Sequence, residues 1–74
     1  MKHCLDIYYN QSVKAVYFDG TSNTLKEIQD LIIGTNNFNI DLLYTKIGWW
    51  LVKYPNGSLV WKKNKCFHTN YKII

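Results

Sequence analysis

Apolar and polar positions alternate at the start of the chain in the manner of two strands. Residues 4–9 are rich in residues that favour strands, and the polar sequence Asn10-Gln11-Ser12 interrupts them. Residues 13–18 then place alternate side chains on opposite sides of an extended backbone, and Asp19-Gly20 ends the run with residues typical of a turn. We therefore predict a hairpin formed by residues 4–9 and 13–18.

Helical spacing replaces this alternation in the next segment. Four apolar residues recur at the spacing of one helix face: Leu25, Ile28, Leu31 and Ile32. Thr24 and Glu27 have the spacing of a capping box, and Gly34 is a typical helix stop. This pattern predicts a helix over about residues 25–33, followed by an asparagine-rich loop at 36–39.

The second half of the chain predicts further strands. Residues 40–45 read as one strand, and residues 49–63 read as a hairpin around Pro55-Asn56-Gly57, which suits a type I turn with a glycine bulge. In this register Val52 faces Val60, and Leu51 faces Trp61 on the other side of the hairpin. Residues 64–74 are predicted to form a turn and a closing segment.

These elements predict one α+β domain over residues 1–74, a small two-layer sandwich of order ββαβββ. An antiparallel sheet of about four or five strands carries one helix on one face. Both faces of the 49–63 hairpin carry large apolar side chains, and a chain of 74 residues has little material to cover them. We expect the face away from the helix to stay partly exposed.

Charge is distributed unevenly along the chain. There are nine lysines, no arginine and five acidic residues; all the acids lie in the first 41 residues, whereas the last 33 hold six lysines and no acid. All three tryptophans fall in this basic half. Lysines interleaved with aromatic residues favour binding to an acidic protein surface or to single-stranded nucleic acid. The lack of arginine argues against sequence-specific reading of duplex DNA.

The residues typical of catalysis and metal binding do not form a set. His3 is adjacent to Cys4, so their side chains point to opposite sides of a strand and could not easily share a zinc ion. Cys66 and His68 have no acid in their half of the chain to orient the imidazole. We expect no enzyme activity, no metal and no cofactor. A disulfide between Cys4 and Cys66 remains an open alternative to two free thiols.

Membrane association and secretion are not expected. The longest uninterrupted apolar run, residues 49–52, is far shorter than a membrane span, and Asp6 interrupts the apolar run that a signal peptide would need. Two cysteines fit a reducing compartment better than a disulfide scaffold. These observations predict a cytoplasmic protein.

Two stretches of the sequence resemble a known family. Residues 14–20 read KAVYFDG and precede the helix start at 25–28; residues 48–57 read GWWLVKYPNG and precede a Phe-x-x-x-Tyr pattern at 67–71. The combination is similar to a widespread family of small phage and prophage proteins of unassigned function. Trp49 stands where that family usually has aspartate. The resemblance implies a phage origin, hence the cytoplasm of a host cell, and an α+β fold; it supplies no site residues.

Taken together, these features predict a non-enzymatic phage accessory protein that binds a host macromolecule, most plausibly a protein, and modulates or inhibits it. The expected contact residues belong to one side of the hairpin and its basic rim: Trp49, Leu51, Lys53, Leu59, Trp61, Lys63 and Lys65. A nucleic-acid-binding module using the same surface is the alternative. Dimerisation through the exposed sheet face is a third possibility.

Overall fold

A computed structural model describes residues 1–33 and 40–74 and shows an α+β fold, as predicted. The strands are β1 (Lys2–Asp6), β2 (Gln11–Phe18), β3 (Trp49–Lys53), β4 (Leu59–Lys63) and β5 (Tyr71–Ile73). They form one antiparallel sheet in the order β4-β3-β2-β1-β5. The helices are α1 (Ser22–Leu31), a 3-10 helix at Ile40–Lys46, and α2 (Asn64–Asn70).

The β3–β4 hairpin has the predicted turn and register. The Tyr54 amide donates to the Ser58 carbonyl at 2.9 Å, and Gly57 adopts a φ of 90°, which glycine tolerates because it has no Cβ. Val52 pairs with Val60, and Leu51 pairs with Trp61. Local turn chemistry was therefore sufficient to set this register.

Helix α1 begins three residues earlier than predicted. Thr21, rather than Thr24, is the N-cap, and its hydroxyl accepts a hydrogen bond from the Thr24 amide at 3.3 Å. Asp19 stabilises this cap, because its carboxylate accepts hydrogen bonds from the hydroxyls of Thr21 at 2.6 Å and Thr24 at 2.7 Å. Glu27 forms an ion pair with the Met1 amino group, so the predicted capping box is wrong. The predicted stop at Gly34 and the loop at 36–39 lie outside the described residues.

The strand predicted at residues 40–45 is also wrong. This segment forms the 3-10 helix, whose Leu43 is buried in the core beside α1, while Tyr44 is exposed. The fifth strand of the sheet is β5, which pairs with β1 in the register Asp6–Tyr71. The closing segment is anchored at Phe67 and Tyr71, both buried.

The sheet carries a buried apolar cluster on each face. On the first face, Trp50 and Val52 pack with Phe67 of α2. On the second face, Val16 and Leu51 pack with Ile28 of α1. The short helix α2, which was not predicted, thus covers the sheet face opposite α1. Strand β4 nevertheless stays partly exposed, with Leu59, Val60 and Trp61 half-buried.

A buried carboxylate joins three strands at one end of the sheet. Asp6 is only 3% exposed, and its Oδ2 accepts a hydrogen bond from the Tyr54 hydroxyl at 2.6 Å. Its Oδ1 accepts from the amides of Tyr8 and Tyr9 at 3.0 and 3.2 Å, which shapes the turn after β1. The Tyr54 and Tyr71 hydroxyls lie 2.6 Å apart. This network holds the ends of β1, β3 and β5 together.

Candidate functional site

Six of the seven predicted contact residues lie on one side of the hairpin. Trp49 pairs with Lys63, Leu51 with Trp61, and Lys53 with Leu59, so all six project from the same face of the sheet. Lys65 is in the first turn of α2, the helix whose Phe67 packs on the opposite face. The hairpin side is thus as predicted, but Lys65 belongs to a different part of the surface.

The middle of this hairpin side is covered by α1 and cannot serve as an open contact surface. Leu51 is 0% exposed, and Leu59 and Trp61 are half-buried against the cluster that contains Ile28 of α1. The prediction of Leu51 as a contact residue is therefore wrong. The reason is that α1 packs on this face, where Leu51 lies in one buried cluster with Ile28.

Because α1 covers Leu51 at the centre of β3, the two half-exposed ends of this strand form separate surfaces. Trp49 and Lys53 are four residues apart on one strand, which corresponds to roughly 13 Å. The Trp49 end faces the 3-10 helix and the turn that follows it, while the Lys53 end lies beside the hairpin turn. Any partner that contacts Trp49 therefore meets a local site and not the whole hairpin.

At the Trp49 end, two lysines flank a half-exposed indole. The Lys46 ammonium lies 4.1 Å from the centroid of the Trp49 ring, and the Lys63 ammonium lies 5.5 Å from it. Both distances are within the range of cation–π attraction, which contributes about 0.5–1 kcal/mol at an exposed site. We call Lys46, Trp49 and Lys63 the Trp49 cluster.

Backbone geometry brings Lys46 to the ring. Gly48 adopts a φ of 90°, and its amide donates to the carbonyl of Phe18 at 2.7 Å, which ties the turn to the end of β2. The chain reverses there, so the last residue of the 3-10 helix reaches over the first residue of β3. Sequence reasoning missed Lys46 because it extended a strand to residue 45. The sequence does contain an indication of this contact, since Lys46 lies three residues before Trp49 and Gly48 between them permits a tight turn.

The lysines of the Trp49 cluster carry no acidic partner within the part of the chain that the structure describes. The ion pair found there joins Met1 and Glu27, and neither Lys46 nor Lys63 lies within 4.0 Å of a carboxylate. Among the side chains that the structure describes, no carboxylate therefore neutralises these two charges beside the ring. Exposed apolar side chains adjoin the cluster in sequence, with Tyr44 and Ile47 both more than half exposed.

The residues weighed for metal binding and nucleophilic chemistry are dispersed. Both cysteines are free: Cys4 is buried in the core, and Cys66 is exposed on α2. Burial raises the pKa of the Cys4 thiol, which makes it less nucleophilic. Over residues 1–33 and 40–74, no three side chains of histidine, cysteine, aspartate or glutamate converge as metal ligands.

No helix within the described residues has the length and apolar character needed to cross a bilayer. Comparisons with models of protein families, with curated proteins and with solved structures found no match.

Proposed function

We propose that this protein is a non-enzymatic binding protein that captures an acidic surface of a partner protein through the Trp49 cluster. The observation that carries the proposal is the half-exposed Trp49 ring, whose centroid lies 4.1 Å from the ammonium group of Lys46 and 5.5 Å from that of Lys63. Tryptophan is among the residues that contribute most to binding at protein interfaces. The two lysines, which lack a carboxylate partner among the described residues, would meet acidic side chains of the partner.

The surroundings of the ring favour a protein over nucleic acid. A base that stacked on the indole would compete with the Lys46 ammonium for the ring, whereas a carboxylate could approach that ammonium from its outer side. Ile47, an exposed aliphatic residue next to the cluster in sequence, adds apolar area that a protein partner could cover. The absence of arginine argues only against sequence-specific reading of duplex DNA.

The resemblance to small phage proteins extends the proposal to origin and role. A phage accessory protein acts in the cytoplasm of its host, so the proposed partner is a bacterial protein with an acidic surface. Binding of a small basic domain to such a surface would modulate or inhibit that protein by occupying it. This part of the proposal depends on the motifs at residues 14–20 and 48–57.

Affinity capture from a bacterial lysate, followed by direct binding to the purified candidate, tests the proposal. We expect an acidic protein to be retained and its affinity to fall at least about 30-fold for Trp49→Ala, the size of effect expected for an interface tryptophan. Tyr8→Ala is the matched control, because Tyr8 is 82% exposed on the turn after β1 and lies outside the cluster. Circular dichroism should be unchanged for both variants.

Two results would overturn the proposal. One is a purified partner whose affinity is the same for Trp49→Ala and for Tyr8→Ala. The other is a mobility shift on single-stranded DNA or RNA that weakens steeply with salt and is lost in Trp49→Ala, since release of counterions sets such a salt dependence. The second result would assign the same cluster to nucleic-acid binding.

A further inference from the structure

A second group of basic side chains lies on the same sheet face, at the end of β3 away from Trp49. His3, Lys14 and Lys53 come from three neighbouring strands and are direct cross-strand partners: His3 pairs with Lys14, and Lys14 pairs with Lys53. Side chains in such positions have Cβ atoms about 4.5–5.5 Å apart. The fold thus places two lysines and a histidine in one row.

The pairing of Lys14 with Lys53 in this row is unfavourable unless a negative group neutralises it. Like charges directly opposite each other destabilise a sheet, whereas opposite charges stabilise it. Within residues 1–33 and 40–74, none of the three side chains lies within 4.0 Å of a carboxylate. No described carboxylate therefore pairs directly with the row, and an external anion would supply such a partner.

The row opens into a cleft of about 370 Å³. Its walls come from one end of the sheet, from the start of the chain and from the last turn of α1. They include Met1, Ser12, Tyr54 and Asp30 beside the basic row. This volume lies at the lower end of the range for small-molecule sites, about 300–1,000 Å³. The cleft combines several cations, a hydroxyl, apolar side chains and one carboxylate.

We propose that this cleft, the basic cleft, binds a phosphorylated small molecule of mononucleotide size. A phosphate monoester carries close to two negative charges and three acceptor oxygens, which fits the donors of Lys14, Lys53 and His3. Pro55, which is exposed, and the half-buried Tyr54 provide an apolar wall for the uncharged part of the ligand. Asp30, which would repel a second phosphate, is an acceptor for a sugar hydroxyl.

Isothermal titration calorimetry with AMP, adenosine and inorganic phosphate tests the basic cleft. We expect AMP to bind, and adenosine to bind at least about tenfold more weakly, because it lacks the phosphate. The double variant Lys14→Gln/Lys53→Gln should weaken AMP binding about tenfold or more. The matched control is Lys26→Gln/Lys65→Gln, which removes the same charge at two exposed lysines outside the cleft.

The outcomes separate the basic cleft from general charge attraction and from the Trp49 cluster. Equal losses of AMP affinity in the two double variants would overturn the proposal, since net charge alone would then explain binding. Absence of AMP binding, with a glutamate-rich peptide binding in a Lys14-dependent and Lys53-dependent manner, would overturn it in favour of an acidic peptide. Trp49→Ala should leave AMP affinity unchanged, so failure of one proposed site would not refute the other.

Discussion

Replacing Tyr54 by phenylalanine removes one oxygen from the network that joins β1, β3 and β5. That oxygen donates to Asp6 Oδ2 at 2.6 Å and lies 2.6 Å from the Tyr71 hydroxyl. Because its single proton is given to the carboxylate, Tyr71 is the donor in the second bond. Asp6 is 3% exposed, so water cannot readily replace the lost donor.

The expected loss follows from the two bonds. A hydrogen bond to a charged group contributes about 1.5–3 kcal/mol, and one between neutral groups about 0.5–1.5 kcal/mol. Tyr54→Phe loses one of each, so we expect the free energy of unfolding to fall by about 2–4 kcal/mol. Tyr71→Phe loses only the hydrogen bond between the two hydroxyls, so its free energy of unfolding should fall by about 1 kcal/mol. The free energy of unfolding of a domain of this size is only about 3–5 kcal/mol in total. The Tyr54→Phe variant should therefore be close to unfolding at room temperature.

Urea denaturation followed by tryptophan fluorescence measures these differences. Tyr8→Phe is the control, because the Tyr8 side chain is 82% exposed and only its amide contacts Asp6; we expect a change within about 0.5 kcal/mol. If Tyr54→Phe costs no more than Tyr71→Phe, the bond to the buried carboxylate contributes nothing net and the reasoning is refuted.

Alkaline pH should weaken the same network. Burial, together with the hydrogen bond to Asp6, raises the pKa of Tyr54, and burial raises the pKa of Tyr71. A raised pKa in the folded state means that the contribution to stability is complete below the ordinary tyrosine pKa of about 10 and is lost as the pH rises above it. In urea titrations from about pH 8 to about pH 12, wild-type stability should therefore fall more steeply above about pH 10 than that of Tyr54→Phe. Equal slopes would contradict this.

Three further predictions test other parts of the structure. A thiol reagent should modify Cys66 in the native protein and Cys4 only after unfolding, because Cys4 is buried; rapid reaction of two thiols would contradict the fold. Hydrogen bonds from the Thr21 and Thr24 hydroxyls lower the pKa of Asp19 to about 2, so its contribution to stability is present above about pH 4 and lost as the pH falls toward 2. Asp19→Asn should remove this acid dependence in thermal melts. Leu51→Ala should lower the free energy of unfolding by about 2–5 kcal/mol, as expected for a buried leucine. Trp49→Ala should lower it clearly less, because Trp49 is half-exposed. Comparable losses for the two variants in urea denaturation would argue against the burial of Leu51.

Elements with strong local signals were predictable from the chain alone. Pro55-Asn56-Gly57 carries its own turn geometry, and this determined the pairing of Trp49 with Lys63 along the whole hairpin. Helix α1 was predictable from its apolar spacing, but its start was not. Thr21 and Thr24 are both acceptable caps, and the carboxylate of Asp19, which bonds to both hydroxyls, favours the earlier one.

Elements that depend on distant contacts were not predictable. The α2 sequence NKCFHTN has weak helix propensity, yet it is held by the stacking of Phe67 on Trp50, with ring centroids 3.9 Å apart, and by Asn64, which accepts from the Trp50 indole at 2.8 Å. The apolar run after residue 40 suits a strand by composition. Burial of Leu43 beside α1 instead stabilises it as a 3-10 helix.

The candidate sites also combine features that the sequence predicts with features that depend on tertiary contacts. The sequence by itself determined that lysines and tryptophans gather in the second half of the chain, that the fold is α+β, and which side of the hairpin Trp49 and Lys63 share. Only the tertiary structure decided that α1 covers Leu51 and separates the two ends of β3. It also brought Lys46 to Trp49, and His3 and Lys14 to Lys53. The physical reason is that turn and strand preferences act over a few neighbouring residues. Which apolar face of the sheet a helix covers depends instead on the packing of side chains from the whole domain.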